Sequence, residues 1–331
     1  MRFLFLTDTH IRGTAPINRK DDFLKTLGKK LEEIIYLTKE KQVDFCLHGG
    51  DMFDRPDISP SIVRELGIIL RQCPVPIYAI AGNHDIYGHN PETVHRTMLG
   101  LLDGLGIIRL LYPGQKVFLE KKGVKVQLTG QPFHYDLDRD EGRKGYLVEK
   151  EPGVNYAIHL VHGLLLEKPL FPGIAYTLIE NILATQADIT LVGHYHRGFS
   201  KVIEMEDKFF VNPGSLVRLE ASLAEIKRKP QIALLDLNQE GIKIQLHGLS
   251  STLPGSAVLD ESQLSMRDYR EKKIADFVQG IKEVGEFKAF NIKEIMELIA
   301  DREGLKPKVK EGAIQRIGQA QEALSSREDF V

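Results

Sequence analysis

Five short polar clusters in this 331-residue chain carry side chains of the types that can hold metal ions: Asp8-Thr9-His10, Gly50-Asp51, Gly82-Asn83-His84-Asp85, His162-Gly163 and Gly193-His194-Tyr195-His196. Asp8 and His10 stand two residues apart, so on a strand end they point the same way and can grip one cation. Asp51 follows two glycines that let the backbone turn tightly beneath an ion, and its two oxygens could bridge a pair of ions. Asn83 offers a neutral carbonyl oxygen, and His162, His194 and His196 offer imidazole nitrogens. This set of oxygen and nitrogen donors, without sulfur, suits Mn²⁺, Fe²⁺ or Zn²⁺ and does not by itself choose among them. Two metals about 3.5 to 4 Å apart acidify a shared water, neutralise a phosphate and stabilise the attacking and leaving oxygens of an in-line displacement. His84 is left over from the ligand count and could protonate or stabilise a scissile phosphate, with Asp85 orienting it. Of the other histidines only His48, which precedes Gly49-Gly50-Asp51, reads as a supporting residue behind the ligands.

Each cluster follows an apolar run, at residues 3–6, 45–47, 77–81, 158–161 and 189–192, that reads as a buried strand. The candidate ligands therefore fall at strand C-terminal ends, where open α/β sheets bind ligands. Residues 25–38 and 59–72 carry apolar positions at helical spacing, giving strand–helix alternation over the first hundred residues. Short β-rich segments then take over, which predicts a second sheet stacked on the first. Lys121-Lys122-Gly123 reads as a hairpin turn, residues 176–184 as a helix, and residues 131–153 as a long polar loop facing substrate. Residues 1–250 are expected to form the core. Residues 251–331 are expected to form a smaller, mainly helical region, with one helix opened by a capping box at Ser265 and Asp268 and another at Asn291 and Glu294.

Forty-four basic residues against 46 acidic ones give a chain that does not advertise nucleic-acid binding as a whole, so a polyanionic substrate needs a local basic patch. Arg12, Arg19, Lys20 and Arg55 lie nearest the clusters in sequence and are the candidates, with Arg139, Arg143 and Lys144 farther on. Two cysteines, Cys46 and Cys73, suggest neither a disulfide framework nor a thiolate site. No run approaches the roughly 18 apolar residues of a membrane span, so a cytoplasmic location without membrane contact is expected.

The ordered set D-x-H, G-D, G-N-H-D, H and G-H-x-H resembles the calcineurin-like metallophosphoesterases. The stretches at residues 47–54 and 18–23, and Asn212-Pro213-Gly214-Ser215 followed by Arg218 and Glu220, resemble the SbcD branch of DNA repair exonucleases within it. The resemblance covers roughly residues 1 to 235; residues 255–331 match no motif, and the loop after His10 reads Ile-Arg-Gly rather than Leu-Gly. It implies an α/β fold of four layers, αββα, with two stacked mixed sheets flanked by helices. It also implies one metal on Asp8, His10, Asp51 and His196, a second on Asp51, Asn83, His162 and His194, and His84 as the catalytic histidine. Mn²⁺ is the favoured ion, with Fe²⁺, Zn²⁺ or Mg²⁺ as alternatives, and DNA, an SbcC-type ATPase and a second copy of the chain are the implied partners. The same metal site would also serve a phosphodiesterase or phosphatase on small molecules, nucleotides or phosphoproteins. A mainly structural subunit of an ATPase complex is the third reading.

Overall fold

A computed structural model describes residues 1–139, 141–169 and 175–260, all of which belong to one compact unit. The helices expected at Ser265 and Asn291 lie outside the described residues. The first half alternates as read from the sequence: β1 (Arg2–Leu6), α1 (Phe23–Glu40), β2 (Phe45–His48), α2 (Pro60–Leu70), β3 (Ile77–Ala79), α3 (Met98–Gly104) and β4 (Arg109–Leu110). Then come β5 (Lys116–Lys121), β6 (Val124–Gln131), β7 (Tyr156–Gly163), β8 (Leu165–Leu166), β9 (Thr177–Leu178), β10 (Ile189–His194), β11 (Ile203–Met205) and β12 (Lys208–Val211). The described chain closes with α4 (Leu223–Lys227), β13 (Gln231–Asn238), β14 (Gly241–Gly248) and α5 (Gly255–Val258).

Two six-stranded mixed sheets result, ordered β14-β13-β1-β2-β3-β4 and β11-β12-β10-β7-β6-β5. Their parallel centres, β1-β2-β3-β4 and β12-β10-β7-β6, carry the candidate ligands at their C-terminal ends. Alternation along β1 builds the layers: Leu4 and Leu6 pack against α1 and α2, while Phe3 and Phe5 pack with Ile158, Leu160, Ile189 and Leu191 of the second sheet. Burying side chains of this size contributes roughly 1.5–3 kcal/mol each, so the inter-sheet layer is the anchor that fixes one set of strand ends against the other. The turn between β5 and β6 is the expected hairpin, with Lys122 (φ 50) and Gly123 (φ 74) both left-handed, which matches the twist of the flanking strands.

The outer face of the second sheet differs from the sequence reading. Residues 176–184 form no α-helix: Thr177 and Leu178 pair with Leu165 and Leu166 as a short parallel strand, and a 3₁₀ turn follows at Ile179–Ile182. Tertiary pairing wins there, because the Thr177 hydroxyl donates to Asp138 while Asn181 accepts from the Leu178 amide. Residues 131–153 are also less loop-like than expected. Leu137 and Tyr146 are fully buried against Val161 and Val192, and Asp138 accepts hydrogen bonds from the Tyr146 hydroxyl (2.6 Å) and the Leu164 amide (2.8 Å). The segment from Val258 to Asp260 is tied back to Asn18 and Lys20 by backbone hydrogen bonds. Among the described residues, no helix is long and apolar enough to cross a membrane.

Candidate metal centre

The C-terminal ends of β1, β2, β3, β7 and β10 converge, and the loops leaving them hold one another. The Asp8 amide donates to Gly50 O, His10 to Asp51 O, and Gly49 to Leu6 O, all within 3.0 Å. Asp8, His10, Asp51 and His194 all have positive φ, between 43 and 75 degrees. Left-handed backbone at a residue with a Cβ costs energy and persists where the surroundings over-determine it, typically at a functional site. Gly50 (φ 96) sits where a Cβ would collide with the His162 ring.

Three groups of ligand atoms form among the described residues, each with all its atoms within 4.8 Å of one another: Asp8, His10, Asp51 and His196 in the first, Asp51, His162 and His194 in the second, and His10, Asp54 and His84 in a third. In the first, His10 Nε2 lies 3.0 Å from His196 Nε2 and 3.7 Å from Asp51 Oδ2, and His196 Nε2 lies 3.5 Å from Asp8 Oδ1. In the second, His162 Nε2 lies 3.3 Å from Asp51 Oδ2 and 3.2 Å from Asn83 Oδ1. His162 Nδ1 faces Gly49 O at 2.7 Å, so Nδ1 carries the proton and Nε2 is presented to the centre. The Asp51 Oδ2 atom is buried and makes no hydrogen bond. An acceptor left without a donor, among converging imidazole nitrogens and carboxylate oxygens, is the donor set that a divalent cation of intermediate hardness satisfies.

The electrostatics point the same way. Burial opposes ionisation of Asp51, yet the surrounding His162, His10 and His84 hold its carboxyl well below the usual range. Asp8 behaves likewise, burial being more than offset by the hydrogen bond and charge of His196. Burial works against a charge on His162, but Asp51 and Asp8 push it up to about 9, so a proton there answers the demand of two buried carboxylates for positive charge. His194, buried beside His162, is pushed down to about 4 and offers a neutral nitrogen.

His84 stands at the edge of this cluster, its ring edge-on to His10 at 4.9 Å. Its Nδ1 meets Asp54 O at 3.0 Å, which leaves Nε2 free for another group. Asp85 does not orient His84, contrary to the sequence reading. Its carboxylate is fully buried and accepts from the amides of Gly82 (2.9 Å), Met52 (3.2 Å) and Phe53 (2.8 Å), clasping the loops after β2 and β3 together. Burial and the nearby Asp51 charge push Asp85 up to about 7.

Asp54 is the site residue that sequence reasoning left without a role. Its carbonyl holds His84, while its carboxylate lies 3.6 Å from His10 Nδ1 and 3.1 Å from Arg12 Nη1. Its position three residues after Asp51, at the end of the 47–54 stretch that carries the resemblance, was the available signal. His48 supports the centre as expected, with Nδ1 accepting from the Gly50 amide and Nε2 3.2 Å from the Thr9 hydroxyl.

The basic candidates separate. Arg12 reaches the centre through Asp54, and Arg55 lines an open groove that also contains His84. Lys20 is exposed, and no contact joins it to the centre. Arg19 points inward: it is buried, its Nε and Nη2 donate side by side to the two Asp21 oxygens at 2.7 Å and its Nη1 donates to Arg218 O, so its guanidinium is committed to the fold.

Residues 1–198 match the calcineurin-like phosphoesterase family. The chain is 24% identical over 346 residues to a double-strand break repair protein MRE11 of Encephalitozoon cuniculi, covering 92% of this chain and 57% of that protein. It is 23% identical to a DNA double-strand break repair protein Mre11 of Methanosarcina acetivorans, covering 74% of this chain and 38% of that one. To an uncharacterized metallophosphoesterase, YkoQ of Bacillus subtilis, it is 24% identical, covering 70% and 78%. The chain thus spans about half the length of the repair proteins that it matches.

Proposed function

Since the chain belongs to the calcineurin-like phosphoesterase family and is a metallophosphoesterase, we propose that it is a nuclease that hydrolyses DNA phosphodiesters with two divalent metal ions, Mn²⁺ foremost. Asp51 carries the reading, because its carboxylate belongs to the first two groups of candidate ligands and so can join two ions. One ion would take Asp8, His10, Asp51 and His196, and the other Asp51, Asn83, His162 and His194. Bound there, the ions neutralise phosphate charge and lower the pKa of an attacking water. The chain supplies the rest. His84, held at Nδ1 by the Asp54 carbonyl, gives a proton from Nε2 to the leaving oxygen. Asp54 also steadies His10, and Arg12 and Arg55 add positive charge beside the phosphate.

DNA as the substrate is supported by the repair proteins among the relatives. A homodimer, an SbcC-type ATPase partner and a role for residues 251–331 in docking that partner belong to the same reading and rest on the resemblance at residues 18–23, 47–54 and 212–220. The test is an assay of purified protein with Mn²⁺ on linear DNA and on bis-p-nitrophenyl phosphate in parallel. Degradation of DNA that stops on chelation is the expected result. Hydrolysis of the small ester with DNA left intact would overturn the nuclease reading in favour of a small-molecule phosphodiesterase.

A further inference from the structure

A groove of about 410 Å³ runs outward from the metal centre. Asn83 and His84 form its inner end, Pro56 and Ile86 give it apolar surface, and Arg55 and His89 stand along it. His89 packs edge-on against Phe133 at 5.4 Å, and Phe133 lies 5.8 Å from the His194 ring and 6.4 Å from His162. The Phe133 amide is anchored on Ala81 O at 3.0 Å, just before the Gly82-Asn83-His84 turn. Rings thus run in contact from the candidate ligands through Phe133 to the exposed His89, and His89 with His84 forms the ring wall of the groove itself. His89 and Gly88 are both left-handed, with φ of 56 and 55 degrees. For a residue with a side chain that backbone is costly, and at an exposed loop beside a reaction centre it points to use. Among the described residues Arg55 makes only a 3.9 Å contact with Asp57, and its side chain is 68% exposed, so positive charge is available on the same groove.

We propose that this groove holds the nucleoside on the leaving-group side of the scissile phosphate, with His89 as a specificity-determining residue that takes the base against its ring. The assignment rests on the phosphodiesterase reading and deepens it. Flat rings of every base stack on imidazole and aromatic faces, whereas an alkyl or sugar phosphate offers nothing for such a wall to meet. The side is set by His84: the atom that receives its proton leaves along the groove that His84 opens into.

The experiment compares a thymidine dinucleotide with two analogues, one lacking the base on the leaving side and one lacking it on the retained side, in the unaltered protein and in His89→Asn. Asparagine keeps the left-handed backbone and removes the ring. The unaltered protein should cleave the dinucleotide roughly tenfold better, in kcat/KM, than the analogue without the leaving-side base. His89→Asn should erase that preference, leave the effect of the retained-side base unchanged, and cleave the analogue without the leaving-side base as well as the unaltered protein does. An equal fall on all substrates would mark a purely structural role and overturn the inference, as would an unchanged preference or loss of the retained-side preference instead. Failure to cleave any dinucleotide while bis-p-nitrophenyl phosphate is hydrolysed would instead refute the nuclease reading itself.

Discussion

His84 and Asp85 are neighbours in the chain with different work. His84 is held by the Asp54 carbonyl at the mouth of a groove, while Asp85 is sealed inside and gathers three amides. Replacing His84 by Ala should lower kcat by about 10²- to 10⁴-fold, the usual worth of a positioned proton donor, with bound metal unchanged on elemental analysis. Loss of metal together with activity would make His84 a ligand instead. The seven candidate ligands were legible because residue type and position at a strand end are both sequence-local. The roles of Asp54 and Asp85 were not, since each depends on contacts with loops some thirty residues away. Arg19 shows the reverse error: a basic residue near a motif looked like a substrate contact, and Asp21, two residues on, captures it.

At the level of elements, strand ends position the site and glycines allow them to meet. A Cβ on Gly82 would collide with the carboxylate and amide of Asp51. Gly82→Ala should therefore cost roughly 10- to 100-fold in metal affinity, the range seen when groups supporting ligands are disturbed, as read by metal titration. Unchanged affinity would mean that the loop yields freely. Helix α1 meets the site from the other side through Lys30, which is buried and donates to Leu216 O at 2.7 Å, one residue past the Ser215 hydroxyl that donates to Asp8 O. Burial, with Arg19, Arg218 and Arg228 nearby, pushes the Lys30 amine down to about 7 from its ordinary 10.5. Between those values the unfolded chain keeps a proton that the folded one has released, so Lys30 makes stability rise with pH across that window, and below it the burial penalty is fully present. In Lys30→Met that rise should be smaller than in the unaltered protein when denaturant midpoints at pH 7 and pH 10 are compared; equal rises would show that Lys30 keeps its proton. The central strands with α1 and α2 were legible from apolar periodicity. The outer layer was not, because Thr177 joins a strand through Leu165 and Asp138, partners that periodicity cannot see.

For the whole molecule, two sheets packed through Phe3, Phe5, Leu160 and Leu191 fix two sets of strand ends face to face, so that Asp8, Asp51 and Asn83 from one sheet meet His162, His194 and His196 from the other. Stacking of the sheets was readable from the order of the strands, but the sharing of Asp51 between two groups emerged only from their packing. Ending the chain after Asp260 should leave hydrolysis of bis-p-nitrophenyl phosphate intact and abolish co-purification with an SbcC-type ATPase; loss of the fold would assign residues 261–331 to core packing. The most direct measurement is the number of Mn²⁺ ions bound per chain, by titration, in the unaltered protein and in Asp51→Asn. Two ions in the first, and weakened binding of both in the second, are predicted from a carboxylate shared by the first two groups. A single ion, or two that Asp51→Asn leaves untouched, would contradict it.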